Sequence, residues 1–347
     1  MSESSNRELF LSLERLSTFN TVPPERKYWL IRTQAGIYYE SFVDNGYIGI
    51  GYNEVPYSQL SLLGVQDDRI LFTLFNSLKD FCEMIYPEDT RPGLIASQLI
   101  KFAYNIKRGD IVVIPSENSE TITIGYVEDT TVHLASELET IETHCPFIKR
   151  KKVYWEKEIP REKLDPYLYR VLQAHQAIND ISSYSELIER NLNNFFIADG
   201  IGNLVLNVRR SSGLNASDVF KLGYSLLSYT NEFLQTNNVP FNISALEVKI
   251  SLNSEGKIHF KSSVPAIALI IGLLLVGLAG GGFKYKGKNS EFSLETNGII
   301  KSIIDFQNNA HDRQITDTLI YTVDSLNIQS PDDALKVFRQ FATNKPK

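Results

Sequence analysis

The chain has little of what usually announces a chemistry. Only two cysteines occur in 347 residues, Cys82 and Cys145. They stand far apart with no Cys-x-x-Cys spacing, which excludes a disulfide framework and a cysteine zinc site and leaves two reduced thiols as the expectation. The five histidines, His133, His144, His175, His259 and His311, show no ligand spacing and no pairing with a nucleophile. No Gly-x-x-x-x-Gly-Lys-Ser/Thr run is present, so a P-loop motor is excluded. An excess of positive charge is also missing. Lys and Arg total 35 against 41 Asp and Glu, a net charge of −6, which disfavours a protein that coats nucleic acid but leaves room for a local basic site. The first twenty residues lack the continuous apolar core of a signal peptide, so a cytoplasmic start is expected. No cofactor is expected from any motif.

One long hydrophobic run is present. Residues 264 to 283 cover twenty positions without a charged or strongly polar side chain, and eleven of them are Leu, Ile, Val or Phe. A hydrocarbon core needs roughly 20 apolar residues at about 1.5 Å each, so the run predicts a membrane segment, against the alternative of a buried glycine-rich core element. Ala268 with Gly272, and Gly277 with Gly281, are small pairs four apart, the spacing that lets helices in lipid approach closely and that points to a homo-oligomer. Lys284, Lys286 and Lys288 follow the run, on the side opposite to that expected for a simple anchor.

The front of the chain alternates short aromatic and β-branched runs with turn residues. Strands are predicted over 28–32, 36–42 and 47–52, helices over 70–86 and 92–103, and a strand hairpin over 111–127 after Gly109-Asp110. Lys149-Arg150-Lys151-Lys152 then enters a strand holding Trp155, read either as a solvated edge or as a collector of phosphates. Helical patterns follow over 161–177 and 184–195. Further on come a strand over 204–209, a long helix over 215–236 capped by Asn215 or Ser217, and a hairpin over 242–252 and 257–261. Past the apolar run, alternating stretches at 283–286 and 291–295 precede helical patterns over 298–308 and 331–342.

Within 25–180 several pieces occur in order: Trp29-Leu30-Ile31-Arg32, Tyr38-x-x-x-Phe42, Ile48-Gly49-Ile50-Gly51-Tyr52, and Phe102 ahead of Ile106-Lys107-x-Gly109-Asp110-x-Val112-Val113-x-Pro115. Ile124-Gly125-Tyr126-Val127 and Arg150-x-x-Val153-x-Trp155-x-x-x-Ile159-Pro160-Arg161 complete the set. This ordered set resembles the EVE-type branch of the PUA-like superfamily, a small β-barrel module found at the front of some modification-dependent restriction proteins. The resemblance implies a reader of modified bases, holding a flipped base between aromatic faces and polar groups. It implies Trp29, Tyr52, Pro115, Ser116 and Trp155 as ligand-binding residues, with Lys149, Arg150, Lys151 and Lys152 on phosphates. Trp29 and Trp155 serve equally as barrel packing.

The expected fold class is therefore α+β: an N-terminal extension (1–24), a PUA-like β-barrel with helices (25–180), and a smaller α+β domain (181–347) containing an apolar, glycine-rich helix. The expected function is a cytoplasmic sensor of a modified base or nucleotide-like ligand, coupled through 264–283 to the inner membrane, a design that suits anti-phage defence. Two alternatives stand beside it. One is a metal-dependent nuclease using Asp218, Glu247 and Lys249, suggested by the acidic-x-Lys triplet on a strand. The other is a soluble binding module in which 264–283 is core.

Overall fold

The structure is a computed structural model. It describes residues 20–61, 68–209, 215–251, 256–278 and 313–334, together with Leu11, Leu13, Arg15, 302–303, 305–308 and Lys336. The chain divides into two compact units, 25–188 and 1–24 with 189–347. It is a mixed α+β protein with a sheet curled into half a barrel.

The first unit contains β1 (Tyr28–Ile31), α1 (Tyr39–Asp44), β2 (Tyr47–Ile50), α2 (Tyr57–Ser61), α3 (Asp68–Ile85) and α4 (Pro92–Ile100), the last running into a wide π-turn at Lys101–Asn105. After these come β3 (Ile111–Pro115), β4 (Thr121–Val127), β5 (His133–Leu134), α5 (Glu137–Glu142), β6 (Lys149–Pro160) and β7 (Ile178–Asp180). The strand order is β2-β6-β4-β3-β1-β7, with β5 also beside β6. β1 runs parallel to β3 and the other pairs are antiparallel. A bulge at Glu156, between the pairs Ile124–Lys157 and Gly125–Trp155, bends β6 against β4. There a Cβ on Gly125 would sit 2.6 Å from the Trp155 ring, so glycine is the residue that admits this contact.

Two expectations fail in this unit for physical reasons. Residues 36–42 form a turn and α1 rather than a strand. Their aromatic content favours a strand locally, but the three-residue offset of Tyr39 and Phe42 lets one helical turn bury both, and that tertiary gain overrides propensity. The 161–177 stretch is not an α-helix. It breaks into 3₁₀ segments at Arg161–Lys163 and Pro166–Gln173, with Asp165 capping the second through the Tyr167 amide.

Helix α6 (Ser185–Leu192) precedes the elements of the second unit: β8 (Phe195–Ala198), β9 (Ile201–Asn207), α7 (Ala216–Thr236), β10 (Leu246–Ser251), β11 (Lys257–Ser262), α8 (Pro265–Leu278) and α9 (Arg313–Ser325). The sheet order is β10-β11-β9-β8. The outer side of β8 is bordered by residues 20–22 through a parallel bridge from Thr21 to Ile197. Asn215 caps α7 by accepting from the Ser217 amide.

The membrane expectation is overturned here. Among the described residues the apolar run forms a helix over Pro265–Leu278, 14 residues and about 21 Å long at 1.5 Å per residue. Among the described residues no helix is long and apolar enough to cross a membrane. All eleven residues from Ala266 to Val276 are buried, and the helix packs on β9, β11, β8 and α7 as the centre of that unit's core. A helix that is apolar all round is one that is covered all round, and here protein covers it.

The small residues serve that packing. Ala268 is fully buried in the core. A Cβ on Gly272 would meet Ala334 at 2.8 Å, and one on Gly277 would meet the Gln307 side chain at 2.4 Å. Gln307 Nε2 donates to the Leu274 carbonyl at 3.1 Å. Gly281, the expected strands at 283–286 and 291–295, and parts of the expected helices over 298–308 and 331–342 lie outside the described residues.

Candidate functional site: an acidic cleft in the first unit

The turn between β1 and α1 and the loop between β3 and β4 face one another. Gln34, Ala35 and Gly36 carry φ of 51°, 56° and 96°, and Asn118 and Ser119 carry 52° and 56°. A non-glycine residue in the left-handed region costs of order 1 kcal/mol, so these loops are held by their surroundings. Gly36 touches the second loop directly, since a Cβ there would lie 2.3 Å from the Glu117 backbone. Thr33 Oγ1 donates to the Pro115 carbonyl at 2.6 Å, and the Thr121 amide donates to Ser116 Oγ at 2.8 Å, closing the second loop.

Between these loops, α1 and the far end of β6 lies a cleft of about 640 Å³. Five carboxylates line it, Glu40, Asp44, Glu117, Glu120 and Glu158, with Ser116, Thr121, Tyr39 and Ile37. No lysine or arginine does. Tyr39 is buried with its hydroxyl 2.5 Å from Thr123 Oγ1. Burial raises its pKa above the ordinary 10.0, and the charges of Glu158 and Glu40 push the same way. The field in the cleft is negative: it favours cations and hydrogen-bond donors and repels phosphate.

The structure brings Ser116 into this cleft, with Pro115 at its edge through its carbonyl. The other residues expected on the ligand lie elsewhere. Trp29 is buried and donates its Nε1–H to Asp110 Oδ2 at 2.8 Å. The same carboxylate accepts from the amides of Lys27 at 3.1 Å and Lys107 at 2.9 Å, so Asp110 ties β1 to the turn before β3. The half-buried Trp155 donates to the Phe42 carbonyl at 2.8 Å. Tyr52 is half-buried at φ 61° with its ring 5.9 Å from that of Tyr86, edge-on. Asp110 was present in the sequence only as a strand-breaking Gly-Asp, and nothing in the spacing marks it as an acceptor of three N–H groups.

The basic run is not a solvated edge. β6 is flanked by β2 on one side and by β4 and β5 on the other. Lys149 is buried, with Nζ donating to the Tyr52 carbonyl at 2.8 Å. Lys151 is buried too, and its ammonium serves the carbonyls of Ala103, Ile106 and Thr130 at 3.3, 2.6 and 2.6 Å. Desolvation lowers both pKa values to about 8. Arg150 lies over the Tyr47 ring at 4.2 Å and clamps the 143–147 loop through Phe147 O, Cys145 O and Thr143 Oγ1. Lys152 alone of the four is exposed.

In the second unit Asp218 is buried in the first turn of α7, accepting from Ser325 Oγ at 3.4 Å, whereas Glu247 and Lys249 are exposed on β10. Among the described residues no three His, Cys, Asp or Glu side chains are grouped to hold a metal ion. Both cysteines are free and buried.

No family model, curated protein or solved structure matches this chain. The acidic cleft therefore carries the functional reading on its own chemistry.

Proposed function

We propose that the 25–188 unit is a PUA-like reader and that its ligand is a modified base or nucleotide-like molecule presenting amino or ring N–H groups to the acidic cleft. The observation that carries this reading is five carboxylates around one cleft of about 640 Å³ with no basic side chain among them. A volume of that order holds one base or nucleoside. Carboxylates accept from exocyclic amines and ring N–H groups, and each charge-assisted bond of this kind is worth about 1.5–3 kcal/mol. The sugar-phosphate part of such a ligand lies outside the negative field. A base flipped from its strand meets that condition, because its edge enters while its phosphates stay behind. The sensor half of the sequence expectation is kept in this form, without a membrane arm.

The same carboxylates favour a second reading, a polyamine or other organic cation. Titration of the full-length chain separates the two. The probes are short oligonucleotides, unmodified or carrying one 5-methylcytosine, 5-hydroxymethylcytosine or N6-methyladenine, and spermidine. The first reading expects one modified oligonucleotide to bind in preference to its unmodified twin, and Glu117→Gln to weaken that binding by about tenfold, the equivalent of 1.4 kcal/mol. Tight binding of spermidine without base preference selects the second reading. Binding that is unchanged in Glu117→Gln and Glu158→Gln removes the cleft as the site.

A further inference from the structure

The second unit carries an edge strand that is complementary to itself. Among the described residues β10 pairs with β11 alone, in the register Glu247 opposite Lys261, Val248 opposite Phe260 and Lys249 opposite His259. The other edge of that sheet, β8, is bordered by residues 20–22, so among the described residues β10 is the open edge. Glu247, Val248 and Lys249 are all exposed, Val248 to 43%. Natural edge strands are usually blunted by charges of one sign, lysine above all, because like charges across a new pair repel. Here the charges alternate in sign about an apolar centre.

An antiparallel pair of two β10 strands centred on Val248 brings Glu247 of each copy opposite Lys249 of the other, and Val248 opposite Val248. Opposite charges directly across an antiparallel pair attract, and a two-fold axis at Val248 satisfies both pairs at once. We infer that β10 is a homodimerisation edge, a second copy of this chain adding its own β10 antiparallel across a two-fold axis at Val248. The occupant is a second copy because the pattern Glu247-Val248-Lys249 is its own complement. This interface does not depend on what the acidic cleft binds. It also replaces the helix pairs expected in 264–283, whose described part is core, as the source of an oligomer.

The test is a charge exchange read by sedimentation velocity on the full-length chain. Wild type forms a dimer that populates with concentration. Glu247→Lys and Lys249→Glu, each alone, place like charges across the pair and sediment as monomers, while an equimolar mixture of the two regains the dimer. The double exchange E247K/K249E also regains it. Glu247→Lys puts a lysine opposite Lys261 within the sheet, so thermal melts of each variant confirm that the monomers are folded. A wild type that stays monomeric at every concentration overturns the inference. So does a dimer that survives both single exchanges, or single variants that stay apart when mixed.

Discussion

At the scale of single residues, the buried Asp110, Lys149 and Lys151 tie the first unit's sheet to its loops. Asp110 accepts N–H groups from Lys27, Trp29 and Lys107. Asp110→Ala leaves these donors without their acceptor in a buried site, and loss of about 3 kcal/mol is expected in urea melts. Glu117→Gln should leave those melts within about 0.5 kcal/mol, since Glu117 is exposed. Lys149 and Lys151 make a pH prediction. Their ammonium groups hold protons with pKa of about 8 in the fold, against an ordinary 10.5. Between these values the unfolded chain binds more protons than the folded one, so stability rises with pH, and below about 8 the full burial penalty applies. The Cys82 thiol, pushed up to about 11 by burial from its ordinary 9.0, works the other way above pH 9. Stability should therefore climb by roughly 2 kcal/mol from pH 7.5 to 9 and then, with two cations rising against one thiol falling, rise more slowly up to about pH 10.5. Melts that are flat or falling across that interval would contradict the buried-cation account, as would the same climb in Lys149→Met.

At the scale of elements, α8 is the place where sequence and structure part most sharply. Gly272, four residues after Ala268, and Gly277, four before Gly281, are spaced as for helices meeting in lipid, yet Gly272 and Gly277 are each a seat for a side chain of the same unit, Ala334 and Gln307. Gly272→Leu should overpack that seat and lower stability by about 1–3 kcal/mol or more, read as a fall in the thermal midpoint of the purified chain. Hydrophobicity reports only that a segment avoids water. It does not say whether lipid or protein provides the cover, and the cover here includes β9 and β11, remote or strongly alternating pieces whose apolar face becomes visible only once they pair. α3, α4 and the β10–β11 hairpin were legible because their periodicity or turn chemistry is local. α1 was not, because its aromatic residues match a strand until Tyr39 and Phe42 find their places in the core. The basic strand misleads for a related reason. Charge suggests a surface, but the neighbours that bury Lys149 and Lys151, the carbonyls of Tyr52, Ala103, Ile106 and Thr130, come from remote turns.

At the scale of the whole molecule, each unit has its own hydrophobic core and its own exposed device. The first unit offers a cleft that selects positive or donor-rich groups, the second a strand edge that selects a copy of itself. The candidate site was only partly legible in the sequence. Ser116 could be placed from the end of the strand after Gly-Asp, but the carboxylates come from three separate stretches at 40–44, 117–120 and 158, and their convergence follows from the left-handed turns that bring the 33–37 and 116–120 loops together. The measurement that tests the account most directly is hydrogen exchange on the full-length chain with and without the oligonucleotide it binds best among the modified set. The account predicts protection concentrated at 33–44 and 116–121, lost in Glu117→Gln. Protection centred instead on the exposed Lys152 and its neighbours, or no protection by any oligonucleotide of the set, would contradict it.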